Sequence, residues 1–242
     1  MKFRVERDAL ADAVAWTAKS LPNRPSVPVL AGVLLQVTDG GLQVSGFDYE
    51  VSSQVTVDVQ SDAEGSTLVS GRLLAEITKA LPAKPVDVAA VGAHLEIVCG
   101  SARFTLPTMP VEDYPTLPEM PASTGKVDAA AFAAAVGQVA IAASRDETLP
   151  MMTGVRIELN GSTLAMLATD RYRLALREIE WRPDDPEISL NALVPARTLH
   201  DTAKTLGALG GEVTLALAQG TTGEGMIGLA GGNRRTTSRL LD

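Results

Sequence analysis

The stretch 27–37 reads VPVLAGVLLQV, and the stretch 149–159 repeats its pattern of proline, glycine and apolar residues as LPMMTGVRIEL. The offset between the two stretches is 122 residues, and the same offset places Asp48 on Asp170. A long internal period of this kind indicates that one structural unit occurs twice in the chain. The repeat therefore decides how the rest of the sequence is divided.

The repeat continues further along both copies. Residues 68–81 match residues 193–206 at an offset of 125, which requires an insertion of only three residues. The sequence between the copies is rich in proline, serine and glycine, as expected of a boundary. We predict one domain over 1–118, a linker over 119–125 and a second domain over 126–242.

Each copy shows the same order of periodicities, helix, strands, helix and strands. Apolar residues recur at helical spacing over 7–21 and 70–81, whereas the valines of 51–59 alternate with polar residues as in a half-buried strand. In the second copy we predict helices near 128–143 and 196–206, and strands near 154–181, 213–218 and 226–230. The predicted fold class is α+β, with two helices packed on antiparallel sheets in each domain.

Composition limits the possible classes of protein. The formal net charge is −8, which is not typical of a nucleic-acid-binding protein. The single cysteine, Cys99, excludes an internal disulfide or a CxxC metal site and fits a reducing, cytoplasmic location. No secretory leader or membrane-spanning stretch is recognised, so we expect no membrane partner.

An enzyme is one alternative, and the usual catalytic motifs do not support it. The sequence contains no P-loop, dinucleotide-binding, GxSxG or HExxH motif. Its two histidines, His94 and His200, have no neighbouring cysteine, and the Gly-rich stretch 220–232 resembles hairpin turns more than a phosphate-binding loop. We therefore predict no catalytic residue, no metal site and no cofactor.

The second copy ends earlier than the first. Repeat 1 continues past its last predicted strand into Val111–Pro115, whereas repeat 2 stops at Asp242. We expect the C-terminal part of the second repeat to be missing, so that the chain is a fragment or its sequence ends early.

Four motifs, in this order, resemble one family. They are MKFRVERDAL at the start, the Arg24–Leu30 segment with its Arg-Pro and Val-Pro-Val-Leu, ATDRYRLA at 168–175, and TSRL at 237–240. Together they resemble the bacterial DNA sliding clamp, the β subunit of DNA polymerase III. The resemblance covers the whole chain and implies the first two of three repeated DNA-clamp domains.

The resemblance also implies a function. Members of this family form a head-to-tail homodimer, a closed ring with helices around its hole, which encircles double-stranded DNA without sequence preference. They hold the replicative polymerase and bind polymerase subunits and the clamp loader through short linear motifs. We therefore expect a non-catalytic processivity factor. The alternative is a peptide-binding scaffold unrelated to DNA.

The resemblance places a partner-peptide pocket in the second repeat. The matching positions are Met152, Thr169, Arg171, Tyr172, Arg173 and Leu174. Apolar side chains in this set suit hydrophobic anchors, and the arginines suit a polar rim. The family commonly has Gly-His where Arg171-Tyr172 stand here. The alternative interpretation is an amphipathic strand pair with solvated arginines.

The resemblance further implies DNA contacts and a dimer interface. Candidate phosphate-binding residues are Arg24, Arg72, Lys79, Arg197 and Lys204. The last four lie in the second predicted helix of each repeat, where Glu76 and Asp201 interrupt the basic faces, so solvated helix surfaces are the alternative. Candidate interface residues are Ile77, Phe104 and Leu106, for which ordinary core packing is the alternative.

Overall fold

A computed structural model describes residues 1–22, 24–219 and 225–241. The chain divides into two compact units, Met1–Leu117 and Pro118–Asp242. Part of the Gly-rich stretch, residues 220–224, lies outside the described residues. In the described ranges, no helix combines the length and the apolar composition that crossing a bilayer would require.

Unit 1 contains two helices within its described residues. Its elements are β1 (Lys2–Val5), α1 (Arg7–Ala18), a 3-10 turn (Pro28–Ala31), β2 (Gly32–Thr38), β3 (Gly41–Phe47), β4 (Val51–Val57), β5 (Gln60–Ala63), β6 (Gly65–Ser70), α2 (Gly71–Ala80), β7 (Val86–Val91), β8 (His94–Cys99) and β9 (Ala102–Met109). The strands are antiparallel in the order β4-β3-β2-β6-β9-β8-β7-β1-β5. β9 joins the two halves because it pairs with β8 and, through Met109, with β6.

Unit 2 repeats this order of elements. They are β10 (Gly125–Asp128), α3 (Ala129–Ala140), a 3-10 turn (Pro150–Thr153), β11 (Gly154–Asn160), β12 (Thr163–Thr169), β13 (Leu174–Glu180), β14 (Arg182–Pro183), β15 (Ser189–Pro195), α4 (Ala196–Leu209), β16 (Glu212–Ala218), β17 (Met226–Gly231) and β18 (Arg234–Arg239). Antiparallel strands form the orders β14-β10-β16-β17-β18 and β13-β12-β11-β15. The predicted α+β class, with two helices on antiparallel sheets per repeat, is confirmed.

Two of the helices begin at side-chain caps. The Ser70 hydroxyl accepts a hydrogen bond from the Leu73 N–H at 3.4 Å at the start of α2. The Asp128 carboxylate accepts one from the Ala131 N–H at 2.8 Å at the start of α3. Each cap satisfies a backbone donor that the helix leaves free and contributes about 1 kcal/mol.

Each unit has its own hydrophobic core. In unit 1 the core joins α1 and α2 to the sheet through residues such as Leu10, Leu74 and Ile97. In unit 2 it joins α3 and α4 to the sheets through residues such as Phe132 and Leu199. Period-2 burial along β8 and β12 follows from one strand face packing on the helices.

Unit 1 has a second apolar cluster, the Tyr114 cluster, separate from the main core. It consists of Val29, Leu34, Phe47, Leu68 and Tyr114, with Met109, Val111 and Leu117 packed against it. Leu34 belongs to this cluster whereas its neighbours Val33 and Leu35 belong to the main core, so the two lie on opposite faces of β2. The chain after β9 therefore covers the outer face of the unit 1 sheet.

The glycine shared by the two repeats stands where side chains approach the backbone closely. A Cβ at Gly32 would lie 2.6 Å from Leu68 Cδ1 and 2.7 Å from Met109 Cε. A Cβ at Gly154 would lie 2.7 Å from Leu193 Cδ1 and 2.9 Å from a Leu241 methyl group. Each glycine thus leaves room for a leucine of the adjacent strand in the sheet and for an apolar residue at the end of the unit's last strand, Met109, or just after it, Leu241.

Burial of Tyr114 predicts a loss of stability at high pH. Desolvation raises the pKa of Tyr114 from 10.0 to about 12, so the folded chain holds the phenolic proton after the unfolded chain has lost it. The free energy of unfolding is therefore expected to fall by roughly 2–3 kcal/mol between pH 10 and pH 12. Urea unfolding should show this loss in wild type but not in Tyr114→Phe. An equal loss in both proteins would contradict the prediction.

The single cysteine is buried in unit 1. Cys99 has 0% of its surface exposed, and its thiol, with one hydrogen to share between them, lies 3.3 Å from the carbonyl oxygens of both Pro82 and Lys84. Cys99 thus connects the last residue of β8 to the loop after α2, and it packs as a small apolar residue.

Candidate functional site

The turn between β12 and β13, together with the strand residue on each side of it, contains five of the six predicted pocket residues. Asp170, which was not among them, organises this turn. Its carboxylate accepts hydrogen bonds from the backbone N–H groups of Tyr172 at 3.1 Å and Arg173 at 3.0 Å. It also accepts one from the Arg173 guanidinium at 2.9 Å. The matching Asp48 of unit 1 accepts from the N–H groups of Glu50 and Val51 in the same way.

Thr169 closes the same turn from the other side. Its hydroxyl donates to the Arg173 carbonyl at 2.7 Å and accepts from the Arg171 N–H at 3.2 Å. Partial desolvation works against the ionised form of Asp170, but hydrogen bonds from Arg173 and Tyr172 outweigh it and lower the pKa of Asp170. The carboxylate is therefore ionised at neutral pH, and the turn is held in one conformation.

Arg171 stands in a left-handed backbone conformation. Its φ is 78°, and Tyr49, the matching residue of unit 1, has a φ of 75°. Residues other than glycine adopt this backbone conformation at a cost of roughly 1–2 kcal/mol. Glycine would suit this backbone conformation, because it has no Cβ. Arginine keeps the conformation here because the hydrogen bonds of the turn hold its backbone.

The Arg171 conformation leads to a stability prediction. Arg171→Gly removes the strain and is expected to raise the free energy of unfolding of unit 2 by about 0.5 kcal/mol, after the greater flexibility of glycine in the unfolded chain is counted. Arg171→Val is expected to lower it by about 1–2 kcal/mol because a β-branched residue fits this region worst. Urea unfolding of the three proteins measures both effects, and a stabilising valine would contradict the geometry.

Met152 reaches the same end of the sheet from a different segment. β11 pairs with β12 with Arg156 opposite Leu167, so the 3-10 turn before β11 lies beside the Thr169 end of β12. The Met152 carbonyl accepts a hydrogen bond from the Ser144 N–H at 2.8 Å. This contact ties the 3-10 turn to the loop after α3.

The loop after α3 adds an acidic group to the site. The hydroxyl and N–H of Thr148 donate to Asp146 and, with the positive charge of Arg171, lower its pKa. Asp146 and Arg171 are therefore electrostatic neighbours although 25 positions separate them in the sequence. The structure thus brings three segments together at one end of the sheet.

Apolar side chains are exposed at this end of the sheet. Tyr172 is 91% exposed, Leu174 is 63% exposed and Leu176, two residues further along β13, is 57% exposed. Met151, beside Met152, is 59% exposed. Exposed apolar groups beside a cation held in place, here Arg173 on Asp170, are suited to binding a short peptide with hydrophobic anchors.

The structure places the candidate DNA-binding residues on exposed surface. Arg72 and Lys79 are exposed on α2, Arg197 and Lys204 are exposed on α4, and Arg24 is exposed in the loop after α1. Among the described residues, the four helix cations form no ion pair within 4.0 Å, although Glu76 and Asp201 follow an arginine by four residues. Their charges therefore face solvent.

The three candidate interface residues do not share one environment. Ile77 and Phe104 are partly buried at the margin of the unit 1 core. Leu106 is 1% exposed and pairs across the sheet with Leu95, which is 0% exposed. This burial fits the core-packing alternative for Leu106, and its place at an interface stays a prediction.

Several residues at the site were missed by sequence analysis. Asp170 was recognised as part of the repeat but not as the organiser of the turn, although the pattern Asp followed by two donors is typical of an Asx turn. Asp146, Met151 and Leu176 were not predicted. Leu176 carried a signal, since Leu174, Ala175 and Leu176 make both faces of β13 apolar at its start. No cluster of three potential metal ligands occurs within the described part of the chain.

Comparison with known families identifies both repeats. Residues 1–118 match the model of the DNA polymerase III beta subunit, N-terminal domain, and residues 126–242 match that of its central domain. The chain belongs to the DNA polymerase III beta subunit family. The predicted family resemblance is thereby confirmed.

Individual beta-subunit relatives agree with this assignment. The chain is 58% identical to the beta sliding clamp of Streptomyces coelicolor over 242 residues, covering all of this chain and 64% of the relative. It is 51% identical to the beta sliding clamp of Micrococcus luteus, covering 77% of that protein. The crystal structure of the Bacillus subtilis sliding clamp superposes with a TM-score of 0.91 at 28% identity, over all of this chain and 65% of that one. The chain thus spans slightly under two thirds of the Streptomyces and Bacillus clamps.

Proposed function

We propose that this chain acts in a sliding clamp that encircles double-stranded DNA as a head-to-tail dimer and tethers polymerases for processive synthesis. Family membership over both repeats is the observation that carries this proposal. The role requires no catalysis, because holding a polymerase on its template raises the local concentration of the two without changing a covalent bond.

The β12–β13 turn is the proposed partner site. Met152, Tyr172 and Leu174 would supply apolar contacts, Arg171 and Arg173 would supply a polar rim, and Thr169 completes the set. Polymerase subunits and the clamp loader are the proposed partners, through short linear motifs. The Asp170 hydrogen bonds support this assignment because a site held in one conformation loses less entropy on binding a peptide.

The exposed cations of α2 and α4 are the proposed contacts to phosphate. Each repeat presents one arginine and one lysine seven positions apart on the corresponding helix, and Arg24 adds a loop cation. A clamp that slides requires only weak attraction without base contacts. The net charge of −8 is compatible with such weak binding but also favours the alternative of a scaffold unrelated to DNA.

The head-to-tail interface of unit 1 is proposed to use Ile77 and Phe104. Both are apolar and incompletely buried, as a side chain that becomes covered on assembly should be. Sedimentation of Phe104→Glu against wild type, with the protein expressed from its complete gene, measures the effect on dimer formation.

A topological experiment tests the function. Protein expressed from its complete gene is loaded on nicked circular DNA, and the DNA is then cut once. A sliding clamp remains bound to the circle in high salt and leaves after cutting, since nothing holds it except the closure of the two rings. A scaffold unrelated to DNA shows no difference between circle and linear DNA, and that result would refute the proposal.

The phosphate contacts lead to a prediction about salt. Binding of duplex DNA is expected to be weak, independent of sequence and strongly reduced by salt. The logarithm of the association constant falls linearly with the logarithm of the salt concentration, and each lost phosphate contact makes this slope less steep by about 0.9. The double variant Arg72→Ala with Arg197→Ala should therefore make it less steep by about 2. Arg24→Ala should weaken binding slightly for all sequences alike.

Arg177→Ala is the matched control, because Arg177 is exposed on β13 and not on a helix. Fluorescence anisotropy with two unrelated duplexes at several salt concentrations measures these slopes. A preference for one of the two duplexes would rule out the assignment of these cations to phosphate. A loss of DNA affinity in Arg177→Ala as large as in the helix variants would rule it out as well.

A further inference from the structure

Helix α4 carries a histidine between its two candidate phosphate contacts. Arg197, His200 and Lys204 stand at positions i, i+3 and i+7 of the helix. At roughly 100° per residue, the three side chains leave α4 within an arc of about 60°. The acidic residue next in sequence, Asp201, leaves the helix about 100° away from His200. His200 therefore belongs to the same surface as the two cations.

The packing of α3 on α4 determines where this histidine lies. A Cβ at Gly207 would lie 2.5 Å from the Ala133 Cβ, so the two helices meet there through small residues alone. One turn further along α3, a Cβ at Gly137 would lie 4.0 Å from the imidazole carbon Cε1 of His200. The imidazole thus borders α3 at a glycine and is partly buried, whereas the cations on either side of it are exposed.

The other charges around α4 lie away from His200. Helix α3 contains no titratable side chain. The charged residues of the strands that pack against α4 are Arg156 and Glu158 on β11 and Arg234, Arg235 and Arg239 on β18. The two on β11 alternate with core residues and form an ion pair with each other at 2.6 Å. On β18, Arg235 and Arg239 are exposed, and Arg234 lies opposite Gly231 beside the C-terminal end of α4. The charges that share a surface with His200 are therefore those of α4 itself.

The imidazole is free to bind a ligand. Within the described residues, His200 forms no hydrogen bond or ion pair. A neutral imidazole offers one donor and one acceptor, whereas a charged one offers two donors. A phosphate oxygen nearby favours the charged form, because opposite charges attract. A phosphodiester on this surface would thus meet three cationic groups in a row.

The corresponding helix of unit 1 lacks this group. The offset of 125 residues aligns the arginine and the lysine of α2 with those of α4, but it places Ala75 at the position of His200. Ala75 is partly buried and packs against the unit 1 core. A histidine is therefore not required for packing at this position of the repeat, and α4 has one potential cation more than α2.

We propose that His200 is a third phosphate contact of α4, which strengthens the binding of duplex DNA when its imidazole is charged. This inference rests on the proposed function, because it requires DNA at the surface of α4. Histidine is the one side chain that ordinarily changes its charge between pH 5 and pH 8, whereas arginine and lysine stay charged throughout. DNA binding is thus linked to the uptake of a proton, and the affinity rises as the pH falls.

The test measures duplex DNA binding by fluorescence anisotropy at about pH 8 and about pH 6, with protein expressed from its complete gene. Between these pH values, wild type is expected to gain about two- to fivefold more affinity than His200→Gln, the gain of one exposed ion pair. At the lower pH, the salt dependence of His200→Gln should be less steep than that of wild type by about 0.9, and at the higher pH the two should agree. His200→Lys, charged at both pH values, should bind like wild type at the lower pH and more tightly at the higher.

His94→Gln is the matched control, because His94 is the other histidine of the chain and is exposed on β8, outside the helices. It should keep the pH dependence of wild type. Circular dichroism establishes that the variants are folded, and if His200→Gln is not, the loss of pH dependence in His200→Lys takes its place. Wild-type pH dependence in both His200 variants, or its loss in His94→Gln, would overturn the inference and leave the proposed function standing. A wild-type protein that binds no DNA at either pH would refute both.

Discussion

Leu174→Ala is expected to weaken binding of a polymerase-tail peptide by about 5- to 150-fold. Short motifs bury little area, so the wild-type affinity should be roughly micromolar, or about −8 kcal/mol. A few buried anchors supply most of that energy, and removal of an apolar contact side chain costs on the order of 1–3 kcal/mol. The fold should be unaffected, because Leu174 is 63% exposed.

Leu176→Ala is the matched control for Leu174→Ala. Leu176 is similarly exposed on the same face of β13, but it lies about 7 Å further from the turn. Because it lies further from the turn, its replacement should weaken peptide binding less than Leu174→Ala does. Calorimetry on the three proteins measures the difference. The pocket assignment would be wrong if the peptide bound Leu174→Ala as well as wild type, or if both alanine variants lost the same affinity.

Gly125→Ala is expected to destabilise unit 2 by about 2–5 kcal/mol. Gly125 begins β10 with a φ of 157°, and an added Cβ would lie 2.4 Å from the Arg182 carbonyl oxygen and 2.5 Å from a ring carbon of Trp181. One of these contacts is with backbone, which cannot move without breaking the β10–β14 pairing. Overpacking and backbone strain each contribute roughly 1–3 kcal/mol.

Gly92→Ala separates these two causes. Gly92 also has a positive φ, 58°, but an added Cβ there would have no neighbour within 4 Å. Its replacement should therefore cost only about 1–2 kcal/mol from backbone strain. Urea unfolding followed by tryptophan fluorescence compares the two variants, with Trp181 reporting on unit 2. Equal costs would show that the close contacts at Gly125 are relieved without penalty.

Sequence analysis predicted the helices and the fold class because these depend on local signals. The predicted helix over 70–81 corresponds to Gly71–Ala80, and the predicted helix over 196–206 begins at Ala196 as expected. Apolar spacing at 3.6 residues and the Gly-Val stretch after each Pro-containing turn are properties of neighbouring residues. They need no knowledge of which strands meet.

The environment of individual site residues was harder to predict, because it depends on strand pairing. Phe104 and Leu106 are two residues apart and therefore lie on the same face of β9. Leu106 is nevertheless enclosed opposite Leu95, whereas Phe104 lies at the margin of the core. Parity along a strand predicts the face, not the depth of burial. Asp146 could not be predicted as a neighbour of Arg171 for the same reason, since only the folded chain brings the two segments together.

The enclosed thiol of Cys99 has a practical consequence for spectroscopy. Because the chain contains no other cysteine and this one has 0% of its surface exposed, maleimide reagents have no accessible native target in the folded protein. One cysteine introduced at exposed Glu112 and another at exposed Tyr172 would therefore accept a fluorophore each without background. Separate labels at these two positions would follow the motion of the 111–117 segment and of the β12–β13 turn in the otherwise native chain.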